Sequence, residues 1–96
     1  MNRDQVLAVL ASSKPVLVAR FGVTRLALFG STARGTANAK SDVDILIAFD
    51  GAANATRYFG VQFYLEDKLG CAVDLVTEKA LRAELRPFIE QEALHV

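Results

Sequence analysis

The chain has no tryptophan, one cysteine, one histidine and two prolines in 96 residues. A lone thiol, Cys71, excludes an intramolecular disulfide framework and any zinc site built from several cysteines. At the start of a strand-like stretch it reads as a small apolar core residue. The lone imidazole, His95, is next to the last residue, so a Ser-His-Asp triad would have to recruit a terminal ring. Charge of one sign is also lacking: 11 basic and 11 acidic residues leave a net charge of zero. That excludes the basic excess of a nucleic-acid-binding face and the acidic excess of a disordered tail, so nucleic acid is not expected as a direct ligand. No apolar run approaches the roughly 18 residues of a membrane span. The opening MNRDQVLAVLASS lacks the basic start and small-residue cleavage site of a secretory signal. The expectation is a cytoplasmic protein without a membrane partner.

What is present suits one modest core. Hydrophobic residues make up 52% of the chain. Fifteen of them are alanines, which bury little each. A chain of this length buries roughly 60–70% of its unfolded surface, so a single domain over residues 1–96 is expected. Residues 3–11 are helix-like, with Val6, Leu7 and Leu10 on one face. Ser12 and Ser13 break the pattern, and Pro15 suits a helix's first turn. A second helix is therefore expected from about 14 to Phe21, closed by Gly22. Strands are expected over 24–29, 42–49 and 71–76, and a helix over 56–69 closed by Gly70. TANAKS, 36–41, reads as loop. Thr77 is placed to cap a last helix that Pro87 interrupts or restarts. The fold class is α+β: a small mixed sheet of about three strands with helices packed on it.

Alternation across the second strand puts Val43, Ile45, Ile47 and Phe49 on one face. Asp42 and Asp44 share the other, their backbones roughly 6.5–7 Å apart, so their tips can converge on one ion. Asp50 has the same parity but lies roughly 26 Å from Asp42 along the strand, too far to join. Asp74 is a lone acid in the apolar run Ala72–Val76, where a buried carboxylate would cost several kcal/mol unless paired, hydrogen-bonded or on a metal. Read singly, each acid could be structural: a strand cap, an arginine partner, an edge residue. Together on neighbouring strands they would form a hard oxygen site suited to Mg²⁺ or Mn²⁺ and to phosphoryl or nucleotidyl transfer.

Ahead of them runs Leu28-Phe29-Gly30-Ser31-Thr32-Ala33-Arg34-Gly35. A strand entering a Gly-Ser turn and a helical turn presents outward N–H groups that favour an anion. Gly30 allows close approach to a phosphate, Ser31 can donate to it, and Arg34 adds charge. No Gly-Lys-Ser/Thr follows at the spacing of a P-loop.

Gly30-Ser31, ten intervening residues, Asp42-x-Asp44 and a later strand acid, Asp74, together resemble the DNA polymerase beta-type nucleotidyltransferase superfamily. The stretches Leu28–Gly35 and Ser41-Asp42-Val43-Asp44-Ile45-Leu46-Ile47 resemble its smallest branch, the MNT domains, which commonly serve as antitoxins in HEPN/MNT toxin–antitoxin pairs. The resemblance implies that Gly30, Ser31, Arg34 and Gly35 lie at the nucleotide. It implies that Asp42 and Asp44 bind two metal ions, Mg²⁺ or Mn²⁺, and that Asp74 is the third catalytic carboxylate and metal ligand. It further implies transfer of AMP from ATP to a tyrosine of a HEPN-type RNase toxin, which silences it. The alternative is an antitoxin that neutralises the toxin by binding alone. The domains by which larger relatives choose an acceptor do not fit within 96 residues, which favours a protein acceptor, in a homo- or hetero-oligomer.

Two further surfaces admit two readings. On the helix 56–69, Tyr58, Val61, Leu65 and Leu69 form the expected core stripe. Phe59 and Phe63 fall about 100–140° away and are either a partner patch or part of a broad buried face. The tail Leu85, Phe88, Ile89, Ala93 and Leu94 could dock on its own sheet or on another chain.

Overall fold

The computed structural model describes residues 2–36 and 42–96. The TANAKS loop, apart from Thr36, lies outside the described residues, as does the Ser41 of the aspartate motif.

Helix α1 spans Arg3–Phe21. Asn2 and Gln5 form a reciprocal capping box at its start, with bonds of 2.8 and 2.9 Å. Gly22, at φ 71°, ends it in the left-handed conformation that glycine adopts without steric cost. The break expected at Ser12–Ser13 does not occur: one helix runs through Pro15. Proline there withholds an N–H from the helix ladder, a cost of about 3 kcal/mol in isolation. Val6, Leu10, Ser13 and Leu17 are all buried along one face, and continuous packing of that face outweighs the local break.

Strand β1 (Val23–Phe29) leads into the short helix α2 (Gly30–Arg34), closed by Gly35 at φ 75°. Strand β2 (Val43–Phe49), helix α3 (Ala55–Leu69) and strand β3 (Val73–Thr77) follow. The last helix expected after Thr77 is instead a 3₁₀ turn at Glu78–Ala80 and then α4, Arg86–Glu92. Pro87 sits in α4's first turn, where its missing N–H costs nothing. The tail closes as a short strand β4, Leu94–His95.

The sheet thus has four strands, in the order β3-β2-β1-β4, one more than expected. β1 is antiparallel to β2 and to β4, and β2 is parallel to β3. Alternation on β2 divides the interior as the sequence implies. Val43, Ile45 and Ile47 pack with Val6, Leu10 and Leu17 of α1 and Val61, Leu65 and Leu69 of α3. On the opposite face Ala27, Phe29 and Leu46 form a smaller cluster covered by Val76, Leu81, Ile89 and Ala93. The tail therefore docks on its own sheet through Ile89, Ala93 and Leu94, and leaves Leu85 and Phe88 exposed.

Candidate active site

Strand directions alone bring the motif residues to one end of the sheet. β1 runs antiparallel to β2, so the end of β1 meets the start of β2, and Phe29 stands opposite Asp44. β3 runs parallel to β2, so both strands start at that end, and Asp44 is in register with Asp74. The turn Gly30–Gly35 and the acids Asp42, Asp44 and Asp74 are thereby neighbours, although up to 44 residues separate them along the chain.

Gly30 is seated against the Asp44 carboxylate. Its φ is 74°, and a Cβ built there would overlap Oδ2 of Asp44. Glycine is required twice over, by the left-handed backbone and by the space the acid occupies. Arg34 closes the short helix, and the N–H of Thr36 donates to the carbonyl of Ser31 at 2.9 Å, folding the turn back on itself.

The acids act on one another. The pKa of Asp44 is pushed up from 3.8 to about 6. Loss of hydration by burial contributes most, followed by the negative charge of Asp74 and a hydrogen bond to Asp74 that favours the protonated form. The charge of Asp42 adds to the rise, and that of Arg34 opposes it. Asp74 itself is exposed, so the cost of burying a carboxylate in the apolar run does not arise. Its parity puts it on the same face as Asp44, opposite to Val73 and Leu75, which enter the core. Asp42 is exposed as well.

Among the described residues, no three His, Cys, Asp or Glu side chains stand close enough to enclose a metal ion as they are. The donor chemistry nevertheless fits a hard divalent cation. Asp44 is held where its charge is opposed by two acids and partly stripped of water, and a cation between those oxygens would relieve both penalties. A cavity of about 230 Å³ lies at the other end of β2 and β3, lined by Ile47, Phe49, Thr77 and Lys79 among others, and does not touch the acids.

Two features of the site have no signature in the sequence. The first is a side-chain ladder on the outer edge of β3. Tyr58, Gln62 and Glu66 recur every fourth residue on α3, one above the other on one face. The Tyr58 hydroxyl donates to the Leu75 carbonyl and the Gln62 amide donates to the Val73 carbonyl at 3.1 Å. Glu66 accepts from the Val73 N–H at 3.0 Å. These bonds occupy the backbone groups on both sides of Asp74 and hold its strand in place. The second is Glu92. Its Oε1 accepts from the Gly30 N–H at 3.0 Å, and its carboxylate takes both oxygens to the Arg34 guanidinium, at 3.3 and 2.9 Å.

Five further arginines have partners elsewhere: Arg3 with Asp4, Arg25 with Glu78, Arg57 with Asp50, Arg86 with the Glu78 carbonyl, and Arg20 over the Phe21 ring. Cys71 is partly buried against the main core. Phe59 and Phe63 are exposed and stack on each other with centroids 6.1 Å apart.

Residues 11–96 match the nucleotidyltransferase domain family. The chain is 34% identical over 96 residues to the protein adenylyltransferase MntA of Thermococcus cleftensis, covering all of this chain and 97% of that protein. A solved structure described as a minimal nucleotidyltransferase superposes with a TM-score of 0.85 at 34% identity, over 98% of this chain and 95% of the other. The same fold recurs at 18% identity in a complex of tri-AMPylated Shewanella oneidensis HEPN toxin with MNT antitoxin. The TM-score there is 0.59, over 98% of this chain and 67% of the other.

Proposed function

Since this chain belongs to the nucleotidyltransferase domain family and is a minimal nucleotidyltransferase of the MNT type, we propose that it transfers AMP from ATP to a tyrosine hydroxyl of a HEPN-type RNase toxin and so acts as its antitoxin. The observation that carries the reading is the meeting of the Gly30–Ser31 turn with Asp42, Asp44 and Asp74 at one end of the sheet, with Asp44 seated on Gly30. The adenylyltransferase name of the Thermococcus relative supports AMP as the transferred group. The AMPylated toxin in the distant complex supports a protein acceptor of that class.

In this reading the Gly30 N–H, the Ser31 hydroxyl and Arg34 bind the triphosphate, and Gly35 closes the turn that aims them. Asp42, Asp44 and Asp74 hold Mg²⁺, in two positions, with Mn²⁺ able to replace it. Bound there, the ions supply charge neutralisation at the phosphates and a lowered pKa for the attacking hydroxyl. The bond that forms joins the tyrosine oxygen to the α-phosphorus; the bond that breaks joins the α-phosphorus to the bridging oxygen, and pyrophosphate leaves with that electron pair. The tyrosine proton passes to solvent. Asp74, exposed beside Asp44, faces the side from which an acceptor can approach. A protein acceptor presented on that side would bring its hydroxyl to the metal-binding acids.

The test uses the purified chain, Mg²⁺, ATP labelled on the α-phosphate and the protein encoded beside it as acceptor. Label is expected on a tyrosine of the neighbour and is expected to vanish in an Asp42→Asn, Asp44→Asn double variant. A tight complex that carries no label would overturn transfer and leave neutralisation by binding alone.

A further inference from the structure

β4 is antiparallel to β1, with Ala27 opposite His95 and Leu28 opposite Leu94. The same register carried two residues further places Glu92 opposite Gly30. The chain leaves α4 at Glu92 and enters β4 at Leu94, so the pairing of the last strand delivers this carboxylate to the turn. There it is received by three hydrogen bonds: one from the Gly30 N–H and two from Arg34. The anchoring is firm on the sheet side. Ala93 and Ile89 pack on Ala27, Phe29 and Leu46, and the Val96 N–H donates to the Leu26 carbonyl at 3.0 Å. A backbone N–H on a left-handed glycine with a guanidinium beside it is the donor set that suits a phosphate oxygen. Here an acidic side chain of the same chain fills it.

We propose that Glu92 is an internal stand-in for the nucleotide's phosphates, a carboxylate latch that occupies the Gly30 and Arg34 donors until the triphosphate displaces it. The inference rests on the nucleotide-transfer reading above. An anion must leave before another can enter, so the latch lowers the apparent affinity for ATP by the fraction of molecules in which it is open. Glu92 is three-quarters buried and Arg34 about half exposed, with side-chain exposures of 28% and 53%. An ion pair at that depth is weak enough to be displaced by a multiply charged ligand. The nucleotide releases the last turn of α4 when it binds, and the structure returns to the latched form when pyrophosphate departs.

Isothermal calorimetry on the full chain, with ATP and Mg²⁺ and separately with inorganic pyrophosphate and Mg²⁺, reads the latch directly. Glu92→Gln keeps the shape of the side chain and removes its charge. It is expected to bind both probes about three- to tenfold more tightly than the unaltered chain. Glu90→Gln removes the same charge from an exposed position two residues away and is expected to bind as the unaltered chain does. Equal tightening in both variants would mean a general charge effect and overturn the latch. Unchanged or weaker binding in Glu92→Gln would also overturn it, by showing that Glu92 merely orients Arg34, and would leave the nucleotidyltransferase reading standing. Absence of binding in every chain would overturn both. Hydrogen exchange on the unaltered chain supplies a readout free of substitution: ATP with Mg²⁺ is expected to speed amide exchange over residues 89–93. Unchanged or slowed exchange there would overturn the latch.

Discussion

Asp44 is the residue whose ionisation the fold most disturbs. Its value of about 6 lies above the 3.8 of the unfolded chain, so between those values the folded form holds more proton than the unfolded one. Stability from this group is fully present below pH 3.8 and is lost as pH rises through about 6. Asparagine at the same place has nothing to ionise. In metal-free buffer, Asp44→Asn and the unaltered chain are therefore expected to melt alike near pH 4. The variant should be the more stable by pH 7.5, by about 1 kcal/mol once solvent screening is allowed for. Every other carboxyl is common to the two chains, so the difference in Tm isolates this one. A gap that stays constant or narrows between pH 4 and 7.5, followed by circular dichroism, would contradict the crowding of Asp44 by burial and by Asp74. Raised stability on removing an acid is also the expected mark of a group held for chemistry and not for folding.

Among the elements, α1 carries a local defect that tertiary packing overrides. Pro15 is exposed and lies inside the helix, so replacing it with alanine restores a backbone donor and removes no core contact. Against this stands the lost rigidity that proline gives the unfolded chain, worth about 0.4–1 kcal/mol. The net expectation for Pro15→Ala is a gain of about 2–2.6 kcal/mol, read as a Tm rise of roughly 8–21 °C in a thermal melt; no gain would mean that the helix relieves the proline by bending. The same element shows where sequence reading stops. The Ser-Ser-Lys-Pro stretch has the local chemistry of a helix start, and only the burial of Leu10, Ser13 and Leu17 on one stripe makes it a helix interior. β2 was legible because its alternation is strict and its two faces differ, Val43, Ile45 and Ile47 against Asp44 and Leu46. The helix ends at Gly22, Gly35 and Gly70 were legible because each glycine is the left-handed cap that closes the pattern. β4 was not, because two residues have no period and Leu94 pairs only with the edge that β1 leaves free. The Gly30, Ser31 and aspartate spacing announced the candidate site, whereas Glu92 reaches it through the register of that short strand and leaves no local signal.

At the scale of the whole molecule, the site exists only when the sheet does. Gly30–Gly35, Asp42 and Asp44, Asp74 and Glu92 come from four separate stretches, brought together by three strand pairings of which one is parallel. The unfolded chain scatters these groups, so a nucleotide that needs several of them binds the native form alone. Binding is then a contribution to folding stability that grows with the logarithm of ligand concentration. At one hundred times the dissociation constant it amounts to about 2.7 kcal/mol. For a chain of this length that corresponds to a Tm rise of roughly 10–20 °C. ATP with Mg²⁺ is expected to produce such a rise, continuing with concentration, in the unaltered chain. The Asp42→Asn, Asp44→Asn variant should stay folded and show a rise that is small or absent. If the acids served only to close the fold, the outcome would be reversed in both respects: no response to nucleotide in the unaltered chain, and a lower Tm in the variant without any ligand. Differential scanning fluorimetry over a series of ATP concentrations distinguishes the two, because a structural role moves the starting Tm and a binding role moves its dependence on ligand.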